Sequence, residues 1–140
     1  MSDNKTVSRR AIGMFASDNT LKAEEIFAKT YKNHQEPDPV PEGGVAVYNF
    51  KEWKQLLANF HNAFSNASVK IINQIAEDNF VTTQWEITAT HSGTYMGATA
   101  TGKPVTWRGV EIDRFDHDKI VETWVIWNKY ILFEAIGLIK

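Results

Sequence analysis

The stretch KPVTWRGVEIDRFDHDKIVETWVIWN (residues 103–128) alternates in character along most of its length. β-Branched and aromatic residues fill it, and Asp116-His117-Asp118 interrupts it, so it predicts two strands joined by a tight turn. Pairing Phe115 with Lys119 across that turn sorts the side chains into two faces. One collects Trp107, Gly109, Glu111, Asp113 and Phe115 with Val121, Thr123, Val125 and Trp127. The other collects Thr106, Arg108, Val110, Ile112 and Arg114 with Ile120, Glu122, Trp124, Ile126 and Asn128. A slip of one residue would regroup both faces.

Working back toward the N-terminus, SVKIINQIA (residues 68–76) and VTTQWEITATH (residues 81–91) read as two further strands. In the second, Thr82, Gln84, Glu86, Thr88 and Thr90 face one way and Val81, Thr83, Trp85, Ile87, Ala89 and His91 the other, the pattern of a half-exposed antiparallel strand. Ahead of the strands the period is helical. Val7, Ala11, Met14 and Phe15 predict an amphipathic helix over residues 4–16. Ser17-Asp18-Asn19-Thr20 stops it and caps a second helix whose buried side is marked by Leu21, Ile26, Phe27 and Tyr31. NHQEPDPVPEGG (residues 33–44) predicts a loop, long enough to serve as the rim or lid of a site. Asn49, with Glu52 three residues on, predicts a capped third helix carrying Phe50, Trp53, Leu57, Phe60 and Phe64. That aromatic stripe is either plain core or the roof of a ligand pocket. Lys129 to Lys140 predicts a short closing helix. Helices first and an antiparallel meander afterwards give an α+β fold with helices on one face of a curved sheet.

The 140 residues suit one domain, with residues 1–17 as an extra N-terminal helix. The chain has no cysteine, so a disulfide scaffold, a thiolate metal site and a cysteine nucleophile are excluded. Its net charge of -2 and pI of about 6.1 give no basic field for nucleic acid or an anionic membrane. There is no stretch that would span a membrane and no signal-peptide core, and a cytoplasmic location is expected. Glycine-rich nucleotide loops and H-E-x-x-H are missing, and His34, His61, His91 and His117 lack the spacing of a zinc site, so no metal is expected.

Chemistry concentrates on the first face of the hairpin. Glu111 and Asp113 lie two residues apart among tryptophans. Carboxyls in a poorly solvated cavity hold their protons to higher pH, which suits proton transfer near neutrality. The alternatives are that Asp113 lies in solvent near the turn and that Glu111 pairs with an arginine. His91, the last inward residue of its strand, is a pocket acid or base or else a rim histidine. Arg114 and Glu122 on the second face read as an ion pair. Val110, Ile112, Trp124 and Ile126 leave that face too apolar for a monomer, so a homodimer through the outer sheet face is expected.

The order LKAEEIFAKTYKNHQ, an aromatic helix, then WEITATHSGTYMGATATGKPVTWRGVEIDRFDHDKIVETWVIWN resembles the SnoaL-like polyketide cyclases. These belong to the nuclear transport factor 2-like superfamily, which also holds ketosteroid isomerase. The resemblance runs from about residue 18 to residue 138, and ATHSGTYMGATATGKPVTWRG followed by R-F, a turn, K-I-V-E and W is its most specific part. It implies a cone-shaped curved antiparallel sheet wrapped around N-terminal helices, a pocket between them, dimers, and intramolecular aldol ring closure without a cofactor. Aligned on I-V-E-x-W, the acid/base aspartate of the cyclases falls on Val125, and a pocket histidine falls on Glu111. Thr123 stands where histidine is frequent, Asn128 where aspartate is, and His91 on the T-H-x-G histidine. By analogy with the isomerase branch, Glu111 takes the place of an oxyanion-hole carboxylic acid and Trp127 lines the cavity.

Valine moves no proton, so the cyclase mechanism cannot run through position 125. Glu111, with His91 or Asp113, is the remaining acid/base set. Trp85, Trp107, Thr123, Val125, Trp127, Tyr31, His34 and Tyr95 form the expected substrate-binding set for a hydrophobic small molecule. Three functions stay open: a cofactor-free cyclase or isomerase, a non-catalytic small-molecule binder, and a protein-interaction module using the outer sheet face.

Overall fold

A computed structural model of the chain describes residues 3–17, 22–39 and 46–139. The elements run α1 (Asn4–Gly13), α2 (Ala23–Ile26), β1 (Phe27–Gln35), β2 (Val47–Asn49), α3 (Phe50–Ala63), β3 (Phe64–Glu77), β4 (Phe80–His91), β5 (Pro104–Asp116), β6 (Lys119–Trp127) and α4 (Lys129–Ala135). The six strands form one curved, unclosed sheet in the order β2-β1-β6-β5-β4-β3. All pairings are antiparallel except β1 with β6. Irregularities at Ser65/Ser68 and Ile71/Asn73 in β3 and at Arg114/Phe115 in β5 interrupt the ladders, and breaks of this kind let a sheet bend around its helices.

The expected second helix is a single turn. Residues 27–35 are strand β1, held by parallel pairing to β6 and antiparallel pairing to β2. Phe27 and Tyr31 are four apart, a spacing that puts both side chains on one face of a helix and equally on one face of a strand. Residues 18–21 and 40–45, which hold most of the expected capping run and part of the expected loop, lie outside the described residues. Asn49 and Glu52 do form the capping box that starts α3.

The β5–β6 hairpin turns on His117 and Asp118, both at positive φ (52° and 66°), the backbone of a two-residue turn whose twist matches the strands. Its register places Glu111 opposite Val125, Asp113 opposite Thr123 and Gly109 opposite Trp127, two residues along from the pairing that Phe115 opposite Lys119 sets, so the expected register fails while the grouping of these residues on one face survives. At the turn the grouping fails as well. Phe115 pairs with Ile120 and Asp116 with Lys119, so Ile120 is the buried residue and Val121 is displaced by the bulge.

The inner face of the sheet meets α1 and α3 in two apolar clusters. One gathers Val7, Ala11, Phe27, Tyr31, Leu57, Phe115 and Ile120 at the closed end. The other gathers Phe60, Phe64, Trp85, Trp107, Val125 and Phe133, with α4 as its cover.

Candidate functional site

Between these clusters lies a cavity of about 250 Å³, slightly below the ~300–1,000 Å³ usual for drug-sized ligands. Its walls are aromatic: Trp53 and Phe60 come from α3, Trp85 from β4, Trp107 from β5, Trp127 from β6 and Tyr95 from the β4–β5 connection. Gly109 makes this arrangement fit. A Cβ there would stand 2.4 Å from Trp85 Cζ2 and 2.7 Å from Trp127 Cβ, so the indoles converge because position 109 has no side chain.

Two carboxyls lie on the cavity wall, Asp38 at the rim, paired with Lys129, and Glu111 deeper in, with Asp113 fully buried behind Glu111. Ser8 Oγ of α1 donates to Asp113 Oδ2 at 2.7 Å, and Thr123 Oγ1 donates to Asp113 Oδ1 at 2.7 Å. Asp113 and Glu111 stand two apart on the inner face of β5 and act on each other's charge, and in an apolar interior two such carboxyls do not both ionise. Burial pushes Glu111 well above the ordinary carboxyl range, and the neighbouring Asp113 charge adds to it. Burial also raises Asp113, but Glu111 and the bonds from Ser8 and Thr123 oppose that rise. No ion pair among the described residues involves Glu111 or Asp113. The Trp85 indole N–H lies close enough to Glu111 to favour its anion, yet is buried without completing a hydrogen bond within the chain.

A chain of amides and hydroxyls leads from the cavity to this pair. Trp127 Nε1 donates to Gln35 Oε1 (3.3 Å), Gln35 Nε2 to Asn33 Oδ1 (3.0 Å) and Asn33 Nδ2 to Tyr31 Oη (2.9 Å). Tyr31 and Thr123 are both buried beside Asp113. Burial, then the Asp113 charge, hold the Tyr31 phenol well above its ordinary range. At the rim, Lys129 Nζ of α4 donates to Asp38 Oδ1 (2.9 Å) and to the Glu36 carbonyl (2.6 Å), fastening residues 36–38 beside the opening. Burial, then Asp38, push the Tyr95 phenol up to about 12.

The cavity thus collects Glu111, Trp85, Trp107, Val125, Trp127 and Tyr95 from the expected set. Asp113, Thr123 and Tyr31 form the buried layer behind it. His91 stays out. It is fully buried against Phe64, and its Nδ1 accepts the Thr101 N–H at 3.2 Å, so it anchors the β4–β5 connection. His34 also stays out, because β1 is a strand and position 34 points to the outer face. There it bonds Glu122 at 2.7 Å and stacks on Trp124. Arg114 meets the same Glu122 at 3.0 Å, the expected ion pair. Ser8, Asn33 and Gln35 were not among the expected site residues. Ser8 had a visible signal, since it shares a helical face with Ala11 and Ile12.

Among the described residues no group of His, Asp and Glu side chains could hold a metal ion. None of their helices is long and apolar enough to cross a membrane.

A family model described as SnoaL-like polyketide cyclase matches residues 5–136. Among solved structures, AclR from Streptomyces galilaeus, described provisionally as a hydroxylase, superposes with a TM-score of 0.83 at 22% identity, covering 98% of this chain and 97% of its own. IdmH from Streptomyces antibioticus, described provisionally as a polyketide cyclase, gives 0.81 at 19% identity, with 97% and 99% covered. A SnoaL-like protein from Jannaschia Sp. CCS1 gives 0.82 at 17% identity, with 98% and 93% covered. Identities this low establish a shared fold. No curated protein matches the chain.

Proposed function

The chain belongs to the SnoaL-like polyketide cyclase family, and from that premise we propose that it binds a compact, flat, apolar molecule and transforms it by cofactor-free acid/base chemistry of the cyclase or isomerase kind. One observation carries the reading: an aromatic cavity whose wall holds a carboxyl, Glu111, that keeps its proton far above the ordinary carboxyl range. Such a group donates a hydrogen bond to a substrate carbonyl and polarises it. The tryptophan walls exclude water and hold the ring system. Asp113, which does not line the cavity, acts through its charge beside Glu111.

Val125 supports a second reading. It stands directly opposite Glu111 on the cavity wall and adds no second proton-transfer group. A non-catalytic binding protein would use the same cavity for sequestration.

The tests are direct. Native mass spectrometry of the purified protein identifies a co-purified ligand. NMR titration of the Glu111 carboxyl carbon follows its proton, and a midpoint near the free-glutamate value of ~4.3 refutes the acid. With a substrate in hand, Glu111→Gln should abolish turnover and retain binding. Intact turnover in that variant removes Glu111 from the mechanism, and the absence of turnover in the native protein selects sequestration.

The same reading includes a homodimer through the outer faces of β5 and β6. Val110, Ile112, Trp124 and Ile126 are 37–66% exposed there, whereas β4 presents threonine, glutamine and glutamate to the same side.

A further inference from the structure

We propose that Ser8 and Thr123 are positioning residues that place the single proton of the Glu111–Asp113 pair on Glu111, so that the cavity offers a hydrogen-bond donor and takes a ligand with a carbonyl or enol oxygen. The inference rests on the acid role of Glu111 and adds what fixes that role.

Two adjoining carboxyls in an apolar interior do not both ionise, and either could hold the proton. The surroundings break the tie. Asp113 receives a hydroxyl on each oxygen, Ser8 Oγ on Oδ2 and Thr123 Oγ1 on Oδ1, both at 2.7 Å, and neither donor is accessible to solvent beyond 2%. Tyr31 Oη accepts the Asn33 amide and so competes for neither oxygen of Asp113. Donors therefore converge on Asp113 from α1 and from β6. Against them stands a single group, the Trp85 N–H, which favours charge on Glu111 but completes no hydrogen bond there. On β4, Val81 faces Asp113 and Thr83 faces Glu111, and the Thr83 hydroxyl is engaged by Gln74. The remaining titratable neighbour is Tyr31, which stays a neutral phenol.

Hydrogen bonds stabilise a carboxylate more than a carboxylic acid, so two of them on Asp113 keep it the anion. Each hydroxyl removed shifts the proton toward Asp113 by about tenfold. With both removed, Glu111 turns a carboxylate to the cavity and the ligand preference inverts from acceptor to donor.

Isotope-edited infrared spectra of the full chain read the proton's location. In the native protein near neutral pH, the protonated-carboxyl band should shift when glutamate is ¹³C-labelled and stay when aspartate is. In Ser8→Ala/Thr123→Val the sensitivity should pass to the aspartate label, and Ser8→Thr/Thr123→Ser should return it to glutamate. Ser8→Ala alone, a smaller change, should split the band between the two labels. A flat aromatic ketone, 2-acetylnaphthalene, should bind the native protein with a lowered C=O stretch and lose that lowering in the double variant. A band that remains on glutamate in every variant overturns the positioning role while leaving Glu111 the acid. A native band that follows aspartate overturns the placement. The absence of any protonated carboxyl in the native protein defeats the acid reading itself.

Discussion

The proposed acid, Glu111, also carries a prediction about stability and pH. Its proton is held well above the ordinary carboxyl range by burial. A carboxyl raised on folding binds more protons folded than unfolded, so its contribution to stability is complete below the unfolded value. That contribution is lost as pH rises through the raised value. Glu111→Gln removes the titration and keeps an N–H beside Asp113. The variant's melting temperature should therefore fall less between about pH 5 and about pH 9 than the native protein's. Parallel curves would remove Glu111 as the source. A second prediction concerns Gly109, where a methyl group would stand 2.4 Å from Trp85 and 2.7 Å from Trp127 Cβ. Gly109→Ala should cost about 1–3 kcal/mol, measured by urea unfolding, and should alter the near-ultraviolet circular dichroism of the displaced indoles. An unchanged spectrum would mean that the walls yield without moving the tryptophans. Much at this scale was legible beforehand. Alternation alone put Glu111, Trp107, Val125 and Trp127 on one face, because a strand's side chains follow from parity. Asp113 joined them by the same rule, but its burial depends on Ser8 from another element, and no local pattern reports that.

Elements show where the reading of sequence ran out. KAEEIF favours a helix, and Phe27 and Tyr31 fit its period, yet strand β1 begins at Phe27. What decides it is the parallel ladder with β6, a partner distant in sequence. The start of the expected loop falls with it: residues 33–35 belong to β1, so His34, whose direction a loop left open, is fixed outward, while Asn33 and Gln35 turn inward to the cavity. The connection after β1 was expected as a rim, and residue 38 does lie on the cavity, tied to α4 by Lys129. Those two side chains are only 18% and 8% exposed, so the pair is worth more when broken than when formed. Asp38→Ala leaves a buried ammonium with one carbonyl partner and should cost about 2–3 kcal/mol. Lys129→Met in the same background should recover part of that loss, because the uncompensated charge goes with it. Denaturant unfolding of the two single variants and the double variant closes the cycle. Strictly additive losses would mean that the tie carries no coupling between α4 and the rim.

At the scale of the whole molecule, the outer side of the sheet is wet along one strand and asks for a cover along the next two. The outer surface of β4 carries threonine, glutamine and glutamate, as a strand against water should. On β5 and β6 beside it, Ile126 is 66% exposed and Trp124, Ile112 and Val110 are 37–41% exposed. The apolar residues are contiguous because Ile112 pairs with Trp124 and Val110 with Ile126. Around them His34, Glu122 and Arg114 form a polar border. An apolar centre with a charged rim is the layout of a subunit interface, and a second copy of the same strip closes it by two-fold symmetry. The strip lies on the far side of the sheet from the cavity, so the proposed dimerisation and ligand binding would use opposite faces of β5 and β6. Light scattering should therefore give the native protein twice the 15.9 kDa chain mass. Ile126→Glu, at the most exposed position of the strip, should halve that mass at micromolar concentration. It should also cost the isolated fold no more than about 0.5 kcal/mol, since it buries nothing there. Binding of 2-acetylnaphthalene in the cavity should survive the change. A native protein that already runs at the mass of one chain, or a variant that stays at twice that mass, would show that the strip serves some contact other than self-association.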